Sequence, residues 1–150
     1  MTLILHAQEV ALLSALNDYR ARYIVIGGHA VIFHGYLREA KDLDIWIEPS
    51  QENAQRIAHA LLSTGAFLTA DQIARLSQPD VKMPIGGLYT EFLTTVTGLD
   101  FEVSIGHSVS TTEQGVPCHV LNLADLLKNK RLLARESDLE DVANLERLHV

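Results

Sequence analysis

The feature that most constrains the fold of this chain is a pair of glycines. The pair follows a short apolar run and precedes a predicted strand that begins with two aspartates. The run Tyr-Ile-Val-Ile at 23–26 is typical of a short strand that is buried on both faces, and Gly27-Gly28 ends it. A short helix over 30–34 is predicted next, followed by a second strand from 43 to 48. A strand, a glycine turn, a helix and a strand in this order predict a sheet that is covered by helices.

Asp42 and Asp44 lie one residue apart at the start of the second predicted strand. Because side chains alternate along a strand, the two aspartates share a face, and Leu43, Ile45 and Ile47 point to the core. Two neighbouring carboxylates repel each other unless a cation lies between them. Magnesium commonly takes one or two carboxylates together with nucleotide phosphates. The pair predicts a magnesium site; the alternative is a solvated Asp-x-Asp without a function.

Gly27 and Gly28 lie where a strand turns into a helix. Glycines let the backbone approach a ligand closely, and amides at the start of a helix favour a phosphate. The alternative is a tight turn into a packed helix. A phosphate-binding turn followed by a metal-binding pair is what nucleotidyl transfer requires, since one part holds the triphosphate and the other holds the metal.

Composition excludes several classes of protein. The chain has 150 residues, of which 47% are hydrophobic, so we expect one globular domain over 1–150. The formal net charge of -7 disfavours a large nucleic-acid footprint, although one RNA end could still bind at a local basic patch. The sequence has one cysteine, no apolar run long enough to cross a bilayer and no secretory layout at its start. We therefore expect a cytoplasmic protein that does not bind membranes.

The remaining pattern predicts an α+β fold, in which a small mixed sheet is flanked by helices and followed by two C-terminal helices. Gly86-Gly87 is predicted to form a hairpin turn. A first helix is expected to leave Glu9 outside, and a later one to bury both Leu61 and Leu62. The predicted helices are 5–21, 50–63, 71–77, 122–135 and 137–148, the further strands are 81–85, 88–96 and 116–121, and 101–105 is either type.

These motifs resemble a known family. Gly27-Gly28 in a strand-to-helix turn, with Asp42-x-Asp44 on the next strand, resembles the nucleotidyltransferase superfamily of DNA-polymerase-beta type in its minimal form. The segment Arg38-x-x-Lys41 before the aspartates is similar to small bacterial members found in toxin–antitoxin or abortive-infection contexts. The run 129–131 (Asn-Lys-Arg) and the later 138–142 (Asp-Leu-x-Asp-Val) are typical of the same subgroup. The resemblance spans roughly residues 20–148.

The resemblance implies a third carboxylate on a later strand. Matching the strand that precedes the Thr-x-x-x-Gly at 94–98 places it at Glu91, where the family usually has aspartate. An unpaired charge is costly in an apolar strand, which supports a function for Glu91. Asp100 and Glu102 are the fallback candidates. Glutamate is one methylene longer than aspartate, so its carboxylate would be shifted, and a weak enzyme remains an alternative.

The activity implied by the resemblance is transfer of a nucleoside monophosphate from a nucleoside triphosphate (NTP) to an acceptor hydroxyl, with release of pyrophosphate. Asp42 and Asp44 would bind the magnesium that accompanies the nucleotide. Glu91 would bind a second metal ion or act as a base toward the acceptor. Gly27 and Gly28 would hold β- and γ-phosphate oxygens through their backbone amides.

Basic residues supply further candidates for phosphate binding. Lys130 falls within the apolar stripe of its predicted helix, so it faces the domain. There it either extends along apolar surface, points at the triphosphate or pairs with Asp141. Arg38 and Lys41, just before the aspartates, are additional candidates, whereas Arg135 is expected to be solvated.

Three hypotheses of different classes follow. The first is an active magnesium-dependent nucleotidyltransferase, whose acceptor is a tRNA end, a protein hydroxyl or a small molecule. A cognate toxin or antitoxin is a possible partner of such an enzyme. The second is a catalytically weak domain that serves as a binding or antitoxin module. The third is an unrelated α+β domain, in which Asp42, Asp44 and Glu91 would not converge in space.

Overall fold

The computed structural model covers residues 1–150 and contains one six-stranded sheet. The strands are β1 (Tyr23–Ile26), β2 (Leu43–Ile47), β3 (Lys82–Ile85), β4 (Thr90–Leu93), β5 (Val109–Glu113) and β6 (Val116–Val120). The helices are α1 (Ala7–Asp18), α2 (Gly27–Phe33), α3 (Gln51–Ser63), α4 (Ala70–Arg75), α5 (Phe101–Gly106), α6 (Leu123–Leu133) and α7 (Glu136–Leu148). The predicted α+β class, with a mixed sheet, flanking helices and two C-terminal helices, is confirmed.

The strand order is β3-β4-β2-β1-β6-β5, which places the two strands around the glycine pair at the centre. β1 pairs antiparallel with β2, while β6 and β4 run parallel to β1 and β2 respectively. The two hairpins β3-β4 and β5-β6 form the outer parts of the sheet. Every residue of β1 is buried, as its continuous apolar run predicts.

The helices cover the sheet and enclose its core. α1 packs against α3 and β6, α3 against α4, and α2 against β1 and β2. α6 contacts both α2 and α7, so the C-terminal pair of helices lies on the side of the glycine turn. α2 begins at Gly27, which makes the two glycines its first residues, and Gly35 follows its C-cap with φ 112°, as expected of a glycine at that position.

Two predictions about side-chain direction are wrong. Glu9, expected outside, is only 3% exposed. Its carboxylate accepts a hydrogen bond from the His6 amide at 3.0 Å and lies 3.4 Å from His29 Nε2, so burial is compensated. Leu62, expected in the buried stripe, is 59% exposed, whereas Leu61 is fully buried, because successive helical residues point about 100° apart.

Some element boundaries also differ from the prediction. Residues 101–106 are helical, and 109–113 form a strand that the sequence pattern did not indicate. The final helix starts at Glu136, with Arg135 as its N-cap and Asp138 as the acidic residue of the capping box, rather than at Ser137. The cap is shifted because Asp138 accepts hydrogen bonds from both the backbone and the side chain of Arg135.

No helix in the structure has the length and apolar character that crossing a membrane requires.

The neighbouring leucines of α3 provide a test of this packing. We expect Leu61→Ala to lower the free energy of unfolding by about 2–5 kcal/mol, because it leaves a cavity in the core. Leu62→Ala, the matched control one residue away, should change it by less than about 0.5 kcal/mol. Urea unfolding followed by circular dichroism measures both variants, and equal losses would contradict the assignment of the buried face.

Candidate active site

A cavity of about 380 Å³ lies beside the start of β2. It is bounded by the glycine turn, the segment that precedes β2, the β3-β4 hairpin and the α6-α7 junction. Every site residue predicted from the sequence lines it: Gly27, Gly28, Arg38, Lys41, Asp42, Asp44, Glu91 and Lys130. The convergence of all three carboxylates differs from what the unrelated-domain hypothesis predicts.

Asp44 is the most constrained carboxylate in the cavity. It lies at the start of the strand, between the fully buried Leu43 and Ile45, and its register partner on the parallel strand β4 is Glu91. Burial raises the pKa of Asp44 to about 6, and the negative charges of Glu91 and Asp42 add to this effect. The ionised form of Asp44 is therefore electrostatically destabilised at this position. Carboxylates with such raised pKa values are often functional.

Glu91 has a partner that the sequence did not indicate. Its Oε1 lies 3.6 Å from Nζ of Lys82, on the neighbouring strand β3. The sequence pattern suggested an unpaired charge at Glu91, but the structure pairs it with Lys82. No three histidine, cysteine, aspartate or glutamate side chains are grouped so that they could hold one metal ion. Asp42, Asp44 and Glu91 thus share a cavity without forming a closed set of metal ligands.

The two glycines are required by the packing around them. Gly27 has φ 65°, and a Cβ at this position would overlap Oδ2 of Asp44. A Cβ on Gly28 would lie 2.9 Å from the Cβ of Ala40 and 3.2 Å from Nη1 of Arg38. Tight packing therefore accounts for both glycines, and it also keeps their backbone at the cavity wall next to a carboxylate and a guanidinium group.

Positively charged side chains also line the cavity, and acidic residues of α7 hold most of them. Arg38 donates two hydrogen bonds to Asp141, at 2.7 and 2.8 Å. Nζ of Lys130 lies 3.1 Å from a carboxylate oxygen of Asp141 and 3.1 Å from one of Asp138. The alternative in which Lys130 pairs with Asp141 is thus the one observed, and the same lysine also lines the cavity. Lys41 is exposed.

The fallback carboxylates lie elsewhere. Asp100 accepts a hydrogen bond from the amide of Val103 and caps α5, and Glu102 pairs with Arg22. Neither residue lines the cavity. Both are explained by local structure, which leaves Glu91 as the third carboxylate of the site.

Sequence reasoning missed three charged residues of the cavity: Lys82, Arg135 and Asp138. Arg135, expected to be solvated, does have a side chain that is 64% exposed, but it also hydrogen-bonds Asp138 at 2.6 Å. The pairing of Lys82 depends on the register of β3 with β4, which no local pattern specifies. The sequence indicated Asp138 only as part of the 138–142 run that is typical of the subgroup, without a place in the site.

Comparison with known proteins identifies the fold. No protein-family profile and no curated protein matches the sequence. The structure is similar to the crystal structure of an antigenic nucleotidyltransferase-like protein from Paracoccidioides brasiliensis, with a TM-score of 0.55 and 17% identity over 96% of this chain and 78% of that one. The chain therefore has a nucleotidyltransferase-like fold, and at this level of identity the likeness concerns the fold alone.

Gly27→Ala tests the close packing at the turn. The substitution adds a Cβ at a left-handed φ and against Asp44, so we expect it to lower the free energy of unfolding by about 1–3 kcal/mol. Gly86→Ala is the matched control, since a Cβ there meets no atom within 4 Å and the backbone is not left-handed. Thermal unfolding of both variants checks this, and an equal effect at the two sites would contradict it.

Asp44→Asn tests the electrostatic cost of the buried carboxylate. Because the pKa of Asp44 is raised to about 6 in the folded chain, ionisation destabilises the fold as pH rises from the unfolded pKa toward this value. The variant cannot ionise, so we expect it to exceed the wild type in stability by up to about 3 kcal/mol near pH 8 and to match it near pH 3. Urea unfolding across this range measures the difference. Asp18→Asn, at an exposed position, is the control and should show no such trend.

Proposed function

We propose that this protein transfers a nucleoside monophosphate from an NTP to an acceptor hydroxyl, with magnesium as cofactor. The observation that carries the proposal is the shared cavity, which is lined both by the carboxylates of Asp42, Asp44 and Glu91 and by basic side chains from the segment before β2 and from α6. A nucleotide with bound metal needs both kinds of group, because the metal binds carboxylates and the phosphates bind cations. The nucleotidyltransferase-like fold supports the same chemistry.

Asp42 and Asp44 are the residues that would hold magnesium. Their oxygens are the hard ligands that this ion prefers, and the raised pKa of Asp44 reflects burial and negative charge that a cation would offset. Because no three acidic or histidine side chains group around one point, phosphate oxygens of the substrate would complete the coordination. Bound magnesium would neutralise charge that develops on the phosphates during transfer.

Glu91 is assigned the third carboxylate role, which is to assist metal binding or to accept the proton of the acceptor hydroxyl. It lies beside Asp44 in the register of the parallel strands β2 and β4, so the two side chains share one face of the sheet. Its present partner, Lys82, is exposed and flexible enough to leave. The ion pair would therefore open when the metal and the acceptor bind.

The phosphates would be held from two sides. Arg38, Lys41 and Lys130 supply positive charge within the cavity, and the backbone amides of Gly27 and Gly28 lie at its wall. The first amides of a helix have no acceptor within that helix, so they are available to phosphate oxygens. Positioning and charge neutralisation are the main requirements of phosphoryl-group chemistry, and these residues provide both.

The acceptor hydroxyl belongs to a tRNA end, a protein or a small molecule. The net charge of -7 disfavours a long nucleic-acid contact and leaves a single RNA end or a protein side chain as better matches. The resemblance of the segments around Arg38 and Lys130 to small bacterial members further suggests a cognate toxin or antitoxin as partner. The cytoplasm, where NTPs are available, is the compartment that this activity requires.

A second function is favoured by two observations. Glu91 is neutralised by Lys82, and the carboxylates do not form a complete set of metal ligands. A catalytically weak domain that binds nucleotide or a partner protein, as an antitoxin module does, would retain the cavity without an assembled third carboxylate. This alternative predicts nucleotide binding without transfer.

Transfer of label tests the two functions against each other. The purified chain is incubated with each α-³²P-labelled NTP, magnesium and a cell lysate, and labelled acceptors are resolved on gels. We expect a labelled species that disappears with Asp44→Asn and persists with Asp18→Asn, an exposed aspartate outside the cavity. Label that persists in Asp44→Asn would assign the activity elsewhere. Magnesium-dependent NTP binding with no labelled acceptor would favour the binding module.

A further inference from the structure

Two aspartates of α7 lie in a position that the roles assigned so far do not explain. Asp138 is 0% exposed and Asp141 is 2% exposed. They are three residues apart on one helix and therefore lie on the same face, directed toward α6 and the cavity. Two ionised groups this deeply buried are costly unless they are closely paired.

The pairing is complete and involves three chain segments. Asp138 contacts Lys130 of α6 at 3.1 Å and Arg135 of the α6-α7 junction at 2.6 Å. Asp141 contacts the same Lys130 at 3.1 Å and Arg38, before β2, at 2.7 and 2.8 Å. Lys130 thus bridges the two carboxylates, and the three cations are held at fixed positions relative to one another. We call Arg38, Lys130 and Arg135 the cation wall.

The cation wall lines the cavity, and one of its members, Arg38, lies next to the glycine turn. All three cations line the cavity, together with Asp138. The guanidinium of Arg38 lies so close to Gly28 that a Cβ there would be 3.2 Å from Nη1. Asp141 therefore fixes a charged group at the place where the backbone of α2 begins.

The charges of the cluster do not cancel. Three cations are paired with two carboxylates, which leaves one net positive charge at the wall. Burial raises the pKa of Asp138, but its hydrogen bonds from Arg135 and Lys130 outweigh this effect and hold the pKa below its usual range. The hydrogen bond to Asp141 likewise raises the pKa of Arg38. Both shifts favour the charged forms of Asp138 and Arg38, and the three cations of the cluster line the cavity.

We propose that Asp138 and Asp141 are positioning residues that hold Arg38, Lys130 and Arg135 as a preformed binding wall for the phosphates of a triphosphate. Lysine and arginine have long side chains that lose much rotamer freedom when they bind a ligand. Carboxylates that already order these side chains reduce that loss when phosphates arrive. The inference rests on the proposed nucleotide site and deepens it, because it names α7 as the element that organises phosphate binding.

Two rival explanations predict different results. If the carboxylates only compete with phosphate, removing one charge makes triphosphate binding tighter. If they only stabilise the packing of α7, removal lowers thermal stability but leaves the affinity of the folded chain unchanged. Positioning alone predicts weaker binding despite the gain of one positive charge.

Isothermal titration calorimetry with inorganic triphosphate, without metal, tests the wall directly. We expect Asp141→Asn to weaken binding about tenfold, because the long side chain of Arg38 would then have to be ordered when the phosphates bind. Glu146→Gln is the matched control: Glu146 joins the same two helices through Arg131 at 2.9 Å, but neither residue lines the cavity. This control should bind like the wild type.

A second variant keeps the test decisive if Asp141→Asn does not fold. Arg38→Lys retains the charge but loses the two-pronged contact with Asp141, so positioning predicts a similar loss of affinity and charge alone predicts none. In addition, Asp141→Asn in an Arg38→Gln background should cost less than in the wild type, because the two residues act as a pair.

The outcomes separate this inference from the proposed function. Unchanged or tighter binding by Asp141→Asn or Arg38→Lys would overturn the positioning role, as would a wild-type chain that does not bind triphosphate. If the expected losses of affinity occur but the chain labels no acceptor with any NTP, the wall stands and the transferase function fails.

Discussion

The position of β2 between β1 and β4 is the constraint on which the cavity depends. One face of β2 is completely buried and carries Leu43, Ile45 and Ile47. Because side chains alternate along a strand, Asp44 points to the other face. The register with β1 and β4 then places this carboxylate beside Ile26 and Glu91. A slip of one residue would bury the aspartate in the core, and hydrophobic burial therefore determines where the acidic group lies.

The position of Asp44 has an electrostatic cost, because its carboxylate is held away from water and near other negative charges. Asp44 is partly desolvated next to other carboxylates, and Gly27 allows it to approach the backbone because a side chain there would overlap it. The cavity is also bordered by ion pairs between α6, α7 and the segment before β2, in which the carboxylates are buried. Such pairs contribute little net stability, since desolvation offsets their attraction. Their value lies in the geometry of charges that they impose on the cavity.

The sequence predicted the fold class well because the main elements carry strong local signals. The apolar run 23–26, the cap at Ser50 and the cap at Asn122 all specify their elements without help from distant residues. Two of the failures have a different cause. Glu9 is buried beside His29, on another helix, whose Nε2 lies 3.4 Å from its carboxylate, and the strand 109–113 forms because 116–120 pairs with it. Neither partner can be identified from local periodicity.

The candidate site likewise combines features that are set by local sequence with features that depend on distant residues. The sequence by itself determined which residues could do chemistry: the carboxylates of 42–44, the glycine turn and the lysine at 130, because spacing along a strand or helix already decides which side chains share a face. Only the tertiary structure decided how they are paired. Lys82 reaches Glu91 through the register of β3, and Asp141 reaches Arg38 across a hundred residues of chain because α7 packs beside the turn. Pairing depends on distances between elements, and packing of the whole core sets those distances.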